Sequence, residues 1–222
     1  MGKYASDGLL PSHAMNIPTP TATGITEVDV YALGNYNFGM KEEMLDQDGM
    51  NDDRFERLKE EYAATGTRRT VQAVIVVEEH GLPHFLLLQQ NPNFFKLPGG
   101  QLLPHEDEIA GLKRILTQTL SVPGNIKHDW EIEPTAVATW WRPTFSNNMF
   151  PYMPAHVKHA KERRQIFLVR LPQGGQQFAI PRNFKLVAAP IFEVHNNPDG
   201  YGPIISSLPT QLSRFSFTIR SK

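Results

Sequence analysis

A pair of glycines followed by a run of acidic side chains is the part of this 222-residue chain whose residue types best suit catalysis. Gly99 and Gly100 precede Glu106, Asp107 and Glu108, and a helical pattern begins at these acids. Glutamates one turn apart on a helix can collect Mg²⁺, which bridges a pyrophosphate and activates water for hydrolysis. The segment is therefore the first candidate for a catalytic site.

The segment resembles the Nudix box. That pattern is G, five residues, E, seven residues and then R-E-U-x-E-E-x-G-U, where U is an apolar residue. Gly100, Glu106 and Arg114 match it, as do the apolar positions Leu116 and Val122. The resemblance implies a Nudix fold with the box on a strand-to-helix connection.

The positions that hold the metal in the box are replaced here. Ile115, Gln118 and Thr119 stand where the pattern has glutamates, and Ser121 stands where it has glycine. An amide and a hydroxyl do not hold a hard divalent cation as a carboxylate pair does. Ile115 also extends the apolar stripe of the helix. We therefore expect a Nudix fold without Nudix catalysis: no catalytic residues, no metal and no cofactor.

Two adjacent aromatic residues, Phe94 and Phe95, lie just before the glycine pair. Neighbouring residues of a strand point to opposite faces, so at most one of the two rings belongs naturally to the core. The other ring is either an interface aromatic or a platform for a splayed nucleic-acid base. Such stacking contributes about 1–3 kcal/mol and is tolerant of sequence. The residues alone leave both alternatives open.

Several longer sequence segments resemble one family within the Nudix superfamily, the 25 kDa subunit of cleavage factor I, which acts in 3′-end processing of pre-mRNA. The resemblance runs in register from about residue 31 to the end. It implies a nuclear homodimer that binds single-stranded RNA containing UGUA without cleaving it, beside a larger subunit bearing an RNA-recognition motif. The matching words are NYNFGMKE (35–42), RRTV (68–71), FFKLPGG (94–100), WWRP (140–143), FKLVAAP (184–190), GYGPIISSLP (200–209) and LSRF (212–215).

The same resemblance implies which residues bind the RNA. Phe94 would stack a base, backbone groups of Phe95 and Leu97 would contact base edges, and Arg54 would act together with an acidic residue eight positions earlier. The full set comprises Asp46, Arg54, Gln72, Asn93, Phe94, Phe95, Leu97, Tyr201 and Gly202.

Three members of this set depart from the family pattern. Asn93 stands where the family commonly has threonine, and Asp46 and Gln72 stand where it has glutamate. Aspartate is one methylene shorter, so Asp46 must approach a base more closely or act through water. Glutamine exchanges one acceptor oxygen for a donor nitrogen. Uridine presents both a carbonyl and an N–H, so Gln72 can still pair with it, and the base preference stays open.

The elements that must position these residues alternate between strands and helices. Phe55, Leu58 and Tyr62 share one face of a predicted helix over 52–63, and apolar side chains line a second helix after Glu108. A hairpin at 78–84 is expected between two apolar strands. The predicted strands are 69–77, 85–90, 130–141, 165–171, 176–180 and 185–194, followed by a helix at 204–214.

This order favours an α/β fold, a Nudix-type α/β/α sandwich with a mixed sheet, plus an N-terminal extension containing one helix. We divide the chain into a flexible N-terminal arm (1–30), an extension with a helix (31–66) and a Nudix-like domain (67–222). The arm is rich in Pro, Ser, Thr and Gly and poor in large apolar residues.

Composition and charge limit the function further. The chain has no Cys, which excludes a disulfide scaffold, thiol catalysis and cysteine-ligated metals. Its longest apolar stretches are far shorter than the ~20 residues of a membrane span. Residues 1–66 have a net charge of −7 and residues 67–222 of +6. A charge of +6 is too small to bind RNA by itself, so we expect a shallow salt dependence.

Two other functions stay open at this point. One is a Mg-dependent hydrolase of dinucleoside polyphosphates or capped RNA with a rearranged metal site. The other is a dimeric scaffold whose RNA site has drifted, as Asp46 and Gln72 allow. The basic segment HVKHAKERR (156–164) is compatible with a phosphate-binding patch, a partner surface, a nuclear address or a solvated loop.

Overall fold

The computed structural model describes residues 26–44, 54–124 and 129–220. These residues form twelve strands and four α-helices. The strands are β1 Thr26–Tyr31, β2 Asn37–Lys41, β3 Arg68–Glu79, β4 Leu82–Asn91, β5 Phe94–Lys96, β6 Gly99–Gln101, β7 Glu131–Ile132, β8 Ala138–Arg142, β9 Glu162–Arg170, β10 Gln177–Pro181, β11 Lys185–Pro190 and β12 Phe215–Arg220. The helices are α1 Arg54–Thr65, α2 Glu108–Leu120, α3 Ile191–Val194 and α4 Pro198–Gln211.

Strand β3 is the centre of the main sheet. It pairs in parallel with β9 and antiparallel with β4, so the sheet is mixed. The order is β11-β4-β3-β9-β7, and the short strands β5, β6 and β8 pair with β4, β3 and β9. The predicted hairpin is confirmed: His80 and Gly81 join β3 to β4 with φ of 54° and 78°, as a type I′ turn requires.

Alternation along β3 divides the core into two layers. The odd-numbered residues from Val71 to Val77 pack in one cluster with Leu112 of α2. The even-numbered Val74 packs in a second cluster with Leu208 of α4. The sheet is therefore covered by helices on both faces, because its central strand is apolar on both faces. The α/β/α sandwich with a mixed sheet that the sequence predicts is confirmed.

The N-terminal boundary of the fold differs from the prediction. Residues 26–30, assigned to the flexible arm, belong to β1, which pairs in parallel with β12 and buries Val28 and Val30. The predicted boundary of the arm at residue 30 is therefore wrong. The reason is that β1 depends on a strand about 190 residues away, which no local pattern reveals. Residues 1–25 lie outside the described residues.

Four other elements differ in their bounds from the prediction. The strand predicted over 130–141 is split into β7 and β8 around Pro134, which cannot donate to a strand ladder. The strand predicted over 185–194 ends at Pro190, after which α3 begins. The last helix starts at Pro198 and is kinked at Gly202. The first helix was predicted from residue 52 and is described from Arg54 to Thr65.

Candidate functional site

One cavity of about 850 Å³ opens among β3, β5, α1, α2 and α4. It brings together every sequence-predicted site residue that the structure describes. The eight lining residues from that set are Arg54, Gln72, Asn93, Phe94, Phe95, Leu97, Tyr201 and Gly202. Asp46, the ninth, lies outside the described residues.

The floor of the cavity is polar because the apolar alternation of β3 stops at its N-terminal end. Val74 lies in the core on this face, but Gln72 and Thr70 continue the same face into the cavity. The parallel neighbour β9 places Arg164 opposite Thr70 and Glu162 one step further. Two adjacent strands thus present hydrogen-bonding side chains where the sheet would otherwise be hydrophobic.

The two adjacent phenylalanines occupy different environments, as alternation predicts. Phe95 packs against the second core cluster, and its ring centroid lies 5.0 Å from that of Tyr201. Phe94 is half-buried, lines the cavity and belongs to neither core cluster of the described residues. The turn before it is fixed by Gln89, whose Nε2 donates to the carbonyl oxygen of Pro92 at 2.9 Å. Both rings line the cavity, but Phe94, unlike Phe95, does not pack against a core cluster of the described residues and is the better placed of the two to contact a ligand.

Tyr201 is held beside Phe95 by a second contact. Its hydroxyl donates to Oε1 of Glu193 at 2.7 Å, and burial together with this carboxylate raises the pKa of Tyr201 to about 12. Tyr201 therefore stays neutral at physiological pH. The next residue, Gly202, has φ of 79° and ψ of 163°, a conformation that favours glycine and kinks α4 at the cavity edge.

A second glycine keeps the cavity floor open. Gly99 of β6 pairs with Gln72 of β3, and a Cβ at Gly99 would lie 2.3 Å from the backbone oxygen of Val71. No side chain fits at that distance. Gly99, the first of the two adjacent glycines, is thus required for the close pairing of β6 with β3.

Helix α1 delivers Arg54 to the cavity. Its predicted apolar face is the one that packs, because Leu58 is buried and Phe55 is half-buried. The guanidinium carbon of Arg54 lies 4.7 Å from the centroid of the Phe55 ring, and Nη2 of Arg54 donates to Oδ1 of Asn147. At the other end of α1, the ring of Tyr62 meets Lys161 Nζ at 3.8 Å. The Phe55 ring also lies 5.8 Å from the guanidinium carbon of Arg142 on β8, so cation–π contacts with Arg142 and Lys161 hold α1 against the rest of the fold at both ends.

A buried ionic network lies beneath the cavity. Glu162 is 2% exposed and accepts hydrogen bonds from Arg142 Nε at 2.9 Å, Arg164 Nη2 at 2.8 Å and Thr70 Oγ1 at 2.9 Å. Burial raises the pKa of Glu162, but the charges and hydrogen bonds of Arg164 and Arg142 outweigh burial and lower the pKa to about 2. A buried carboxylate is stable in this position because two guanidinium groups compensate its charge.

The helix that resembles the Nudix box has committed its charges to internal contacts. Arg114 donates to both oxygens of Glu106, from Nε and Nη2, each at 2.7 Å, and the backbone N–H of Leu103 donates to the same carboxylate at 2.8 Å. The hydrogen bond from Arg114 is the main cause that lowers the pKa of Glu106 to about 2. Glu108 is bound by Arg69 at 2.8 Å and by Arg163 at 2.6 Å.

The remaining box positions do not fit a Mg²⁺ site. Ile115 lies in the core cluster around α2, as predicted, and Thr119 is 3% exposed. Gln118 is exposed but is an amide, a weaker ligand for a hard cation than a carboxylate. With Glu106 already paired to Arg114, the donor set offers no carboxylate pair for the metal.

Six basic side chains line the cavity against two acidic ones within the described residues. Most of this positive charge is compensated: Arg142 and Arg164 by Glu162, Arg68 by Glu61, and Arg114 by Glu106. The six are Arg54, Arg68, Lys96, Arg114, Arg142 and Arg164; the two are Glu162 and Asp199.

Several cavity residues were not predicted from the sequence. Arg142 lies in the WWRP word, and Glu162 and Arg164 belong to the basic segment 156–164. That segment does not form one patch: Lys158 is exposed, but Glu162 and Arg164 turn into the cavity. Asn147 lies in a loop of polar residues. A strand alternation starting at Ile166 could have placed Glu162 and Arg164 on the cavity face.

Among the residues that the structure describes, no helix has the length and apolar character needed to cross a membrane.

The sandwich, the box-like helix and the cavity beside it define a protein of the Nudix class. The NUDIX_2 family model, described as nucleotide hydrolase, matches residues 26–215. Two Arabidopsis thaliana proteins are similar over most of this chain. Pre-mRNA cleavage factor Im 25 kDa subunit 1 is 47% identical over 192 residues, covering 86% of each chain. Subunit 2 is 46% identical over 197 residues, covering 87% of this chain and 96% of its own.

A third relative comes from Dictyostelium discoideum. It is cleavage and polyadenylation specificity factor subunit 5, which is 44% identical over 185 residues, covering 82% of this chain and 90% of its own. The chain therefore belongs to the Nudix family and, within it, to the group of cleavage factor Im 25 kDa subunits.

Proposed function

We propose that this chain is a non-catalytic RNA-binding subunit of the machinery that cleaves and polyadenylates pre-mRNA, and that it selects single-stranded RNA containing UGUA. The convergence of Arg54, Gln72, Phe94 and Tyr201 on one cavity carries the proposal. These residues are far apart in the sequence, and the family resemblance assigns each of them to RNA. The names of the relatives support the process, since all three refer to pre-mRNA cleavage or polyadenylation.

The chemistry of the cavity suits a flexible single strand. Phe94 offers an aromatic face for one unstacked base, and stacking of this kind contributes about 1–3 kcal/mol. Phe95 and Tyr201 contact each other and so form a fixed wall beside it. Arg54 supplies a planar fork of donors, and Gln72 supplies both an acceptor and a donor for a uracil edge. Backbone groups of Phe95 and Leu97, together with Asn93 and Gly202, complete the proposed site.

The proposed absence of catalysis follows from α2. A hydrolase of dinucleoside polyphosphates or capped RNA would need carboxylates where the chain has Ile115, Gln118 and Thr119, and a free Glu106. Glu106 is instead held by Arg114 and by the backbone of Leu103. The description of the family model as nucleotide hydrolase thus applies to the fold, and this chain uses the cavity for binding.

The same proposal includes the assembly. We infer a nuclear homodimer that partners a larger subunit bearing an RNA-recognition motif. The word "subunit" in the names of all three relatives supports membership of a complex, and the homodimer, the nuclear location and the larger partner are what the family resemblance implies.

A titration tests the function. Fluorescence anisotropy of the full chain is measured with a short labelled RNA containing UGUA and with a scrambled RNA of equal composition. We expect the UGUA RNA to bind at least about tenfold more tightly, since each good base contact discriminates by about 1–3 kcal/mol. Equal binding would favour the scaffold. Mg²⁺-dependent release of product from diadenosine tetraphosphate, lost in Glu106→Gln, would favour the hydrolase.

A further inference from the structure

Arg54 is the one proposed base-contacting cation that reaches the cavity from α1, outside the main sheet. Its side chain is long and carries several rotatable bonds, so a free Arg54 would lose rotamer entropy each time it bound a base. Among the contacts that hold it are the ring of Phe55 at 4.7 Å and the amide oxygen of Asn147. The second contact spans 93 residues of sequence.

Asn147 is itself fixed from below. It lies in the loop after β8, and Arg142, the last residue of β8, donates from Nη1 to the carbonyl oxygen of Ser146. The same arginine donates from Nε to Glu162 at 2.9 Å. Arg142 is 6% exposed and Glu162 is 2% exposed, so this anchor is rigid and shielded from solvent.

The contacts form a continuous path. It begins at the buried Glu162, passes through Arg142 to the backbone of Ser146, and ends at Asn147, which holds Arg54. Phe55 closes the path, because the guanidinium carbons of Arg54 and Arg142 both contact its ring, at 4.7 and 5.8 Å. A buried ion pair thus determines where an exposed loop presents one amide oxygen.

We propose that Asn147 is a positioning residue of the RNA site, which pre-organises the guanidinium of Arg54 for a base. This proposal rests on the proposed function. Arginine is donor-only, so the atom of Asn147 that faces it must be the acceptor oxygen. Loss of that acceptor removes one of the restraints on the Arg54 guanidinium, and RNA affinity then falls because part of the ordering cost returns at binding.

A double-mutant cycle tests the proposal. Titrations with UGUA RNA are made for the wild type, Asn147→Ala, Arg54→Ala and the double variant. We expect Asn147→Ala to weaken binding about fivefold, as for loss of a typical intramolecular hydrogen bond, and Arg54→Ala about tenfold or more, as for loss of a hydrogen bond to a charged group. In the Arg54→Ala background, Asn147→Ala should have no further effect, since there is no guanidinium left to position.

Two variants make the cycle specific. Asn147→Asp keeps the acceptor, so we expect it to restore affinity to within about twofold of the wild type. Asn148→Ala is the matched control, because Asn148 is exposed and is not among the described residues that line the cavity. It should leave affinity unchanged. Thermal unfolding of every variant excludes loss of folded protein as the cause.

The outcomes separate this inference from the function on which it rests. If the wild type does not distinguish UGUA from the scrambled RNA, the proposed function fails first. If the wild type does distinguish them but Asn147→Ala binds like the wild type, the positioning role is overturned. Equal losses from Asn147→Ala in both backgrounds would also overturn it, since independent effects show that Asn147 does not act through Arg54.

Discussion

The cavity has two ends that differ in chemistry: one is formed by α2, and the other is the rim formed by β5 and α1. At the α2 end, the charged groups are consumed by internal contacts: Glu106 is bound by Arg114, and Ile115 is buried in the core. At the rim formed by β5 and α1, Phe94 is half-buried outside both cores, and Arg54 reaches in from α1. The fold supplies the concave space at both ends. The side chains available to a ligand lie at the rim, so the rim is where we locate the function.

The largest expected effect is a loss of stability when the buried ion pairs in the cavity floor are broken. Glu162→Gln removes the charge that compensates Arg142 and Arg164 while keeping nearly the same shape. Breaking a buried ion pair at one partner costs about 3–5 kcal/mol, so we expect the free energy of unfolding in urea to fall by that amount.

The matched control for Glu162→Gln is Glu56→Gln, which removes an exposed carboxylate paired with Lys59 one helical turn away. This change should alter the free energy of unfolding by less than about 0.5 kcal/mol. Similar effects from the two substitutions would show that the buried network does not stabilise the fold.

The two phenylalanines should separate binding from stability. Phe94→Ala removes the stacking ring, and we expect UGUA affinity to fall about 5- to 150-fold, which corresponds to 1–3 kcal/mol, with the free energy of unfolding changed by less than about 1 kcal/mol. Phe95→Ala should lower the free energy of unfolding by about 2 kcal/mol, because this ring packs on the core and on Tyr201.

Phe94→Trp is the conservative control for Phe94→Ala, because it keeps an aromatic ring, and it should keep most of the affinity for UGUA RNA. Anisotropy and urea unfolding measured on the same samples give both quantities. A Phe94→Ala protein that binds like the wild type but unfolds more easily would assign Phe94 to the core.

Low pH should destabilise the fold by protonating Glu106 at the α2 end and Glu162 in the cavity floor. The pKa of Glu106 and that of Glu162 are both lowered from 4.5 to about 2 in the folded chain. A group whose folded pKa lies below its unfolded value stabilises the fold fully above the unfolded pKa and loses that contribution as the pH falls toward the folded pKa. The free energy of unfolding should therefore drop between pH 4.5 and pH 2.

Glu106→Gln should flatten part of that decrease, since it removes one of the carboxylates whose pKa is lowered in the folded chain. Urea unfolding of both proteins at several pH values measures the difference. Parallel profiles for the wild type and the variant would mean that Glu106 has no lowered pKa in the folded state.

The smallest expected effect is that of salt concentration on RNA affinity. Each phosphate neutralised by a protein cation contributes a slope of about 0.7 to log affinity against log salt for a single strand. Because Arg68, Arg114, Arg142 and Arg164 are already paired, we expect a total slope no steeper than about 2. A slope of about 4 or more would locate RNA binding on another, more basic surface.

Local patterns predicted the parts of the molecule that depend on neighbours in sequence. The apolar stripe of α2, the hairpin at His80 and Gly81, and the opposite environments of Phe94 and Phe95 all follow from periodicity or turn chemistry. The α/β/α architecture followed from the order of strands and helices and from the family resemblance.

Contacts between distant segments could not be predicted in the same way. The pairing of β1 with β12 joins the first and last described strands, and the hydrogen bond from Arg54 to Asn147 joins α1 to a loop after β8. Neither partner has a residue pattern that identifies the other. The buried role of Glu162 was hidden because its neighbours make the segment look like a basic surface run.

Cross-linking tests the contrast between the two ends of the cavity most directly. UGUA RNA with 4-thiouridine at each uridine in turn is irradiated with the full chain, and the linked peptides are identified by mass spectrometry. The account predicts cross-links at residues 93–97 and 201–202, competed away by unlabelled UGUA RNA. Cross-links confined to residues 108–120 of α2, equally strong with the scrambled RNA, would contradict it.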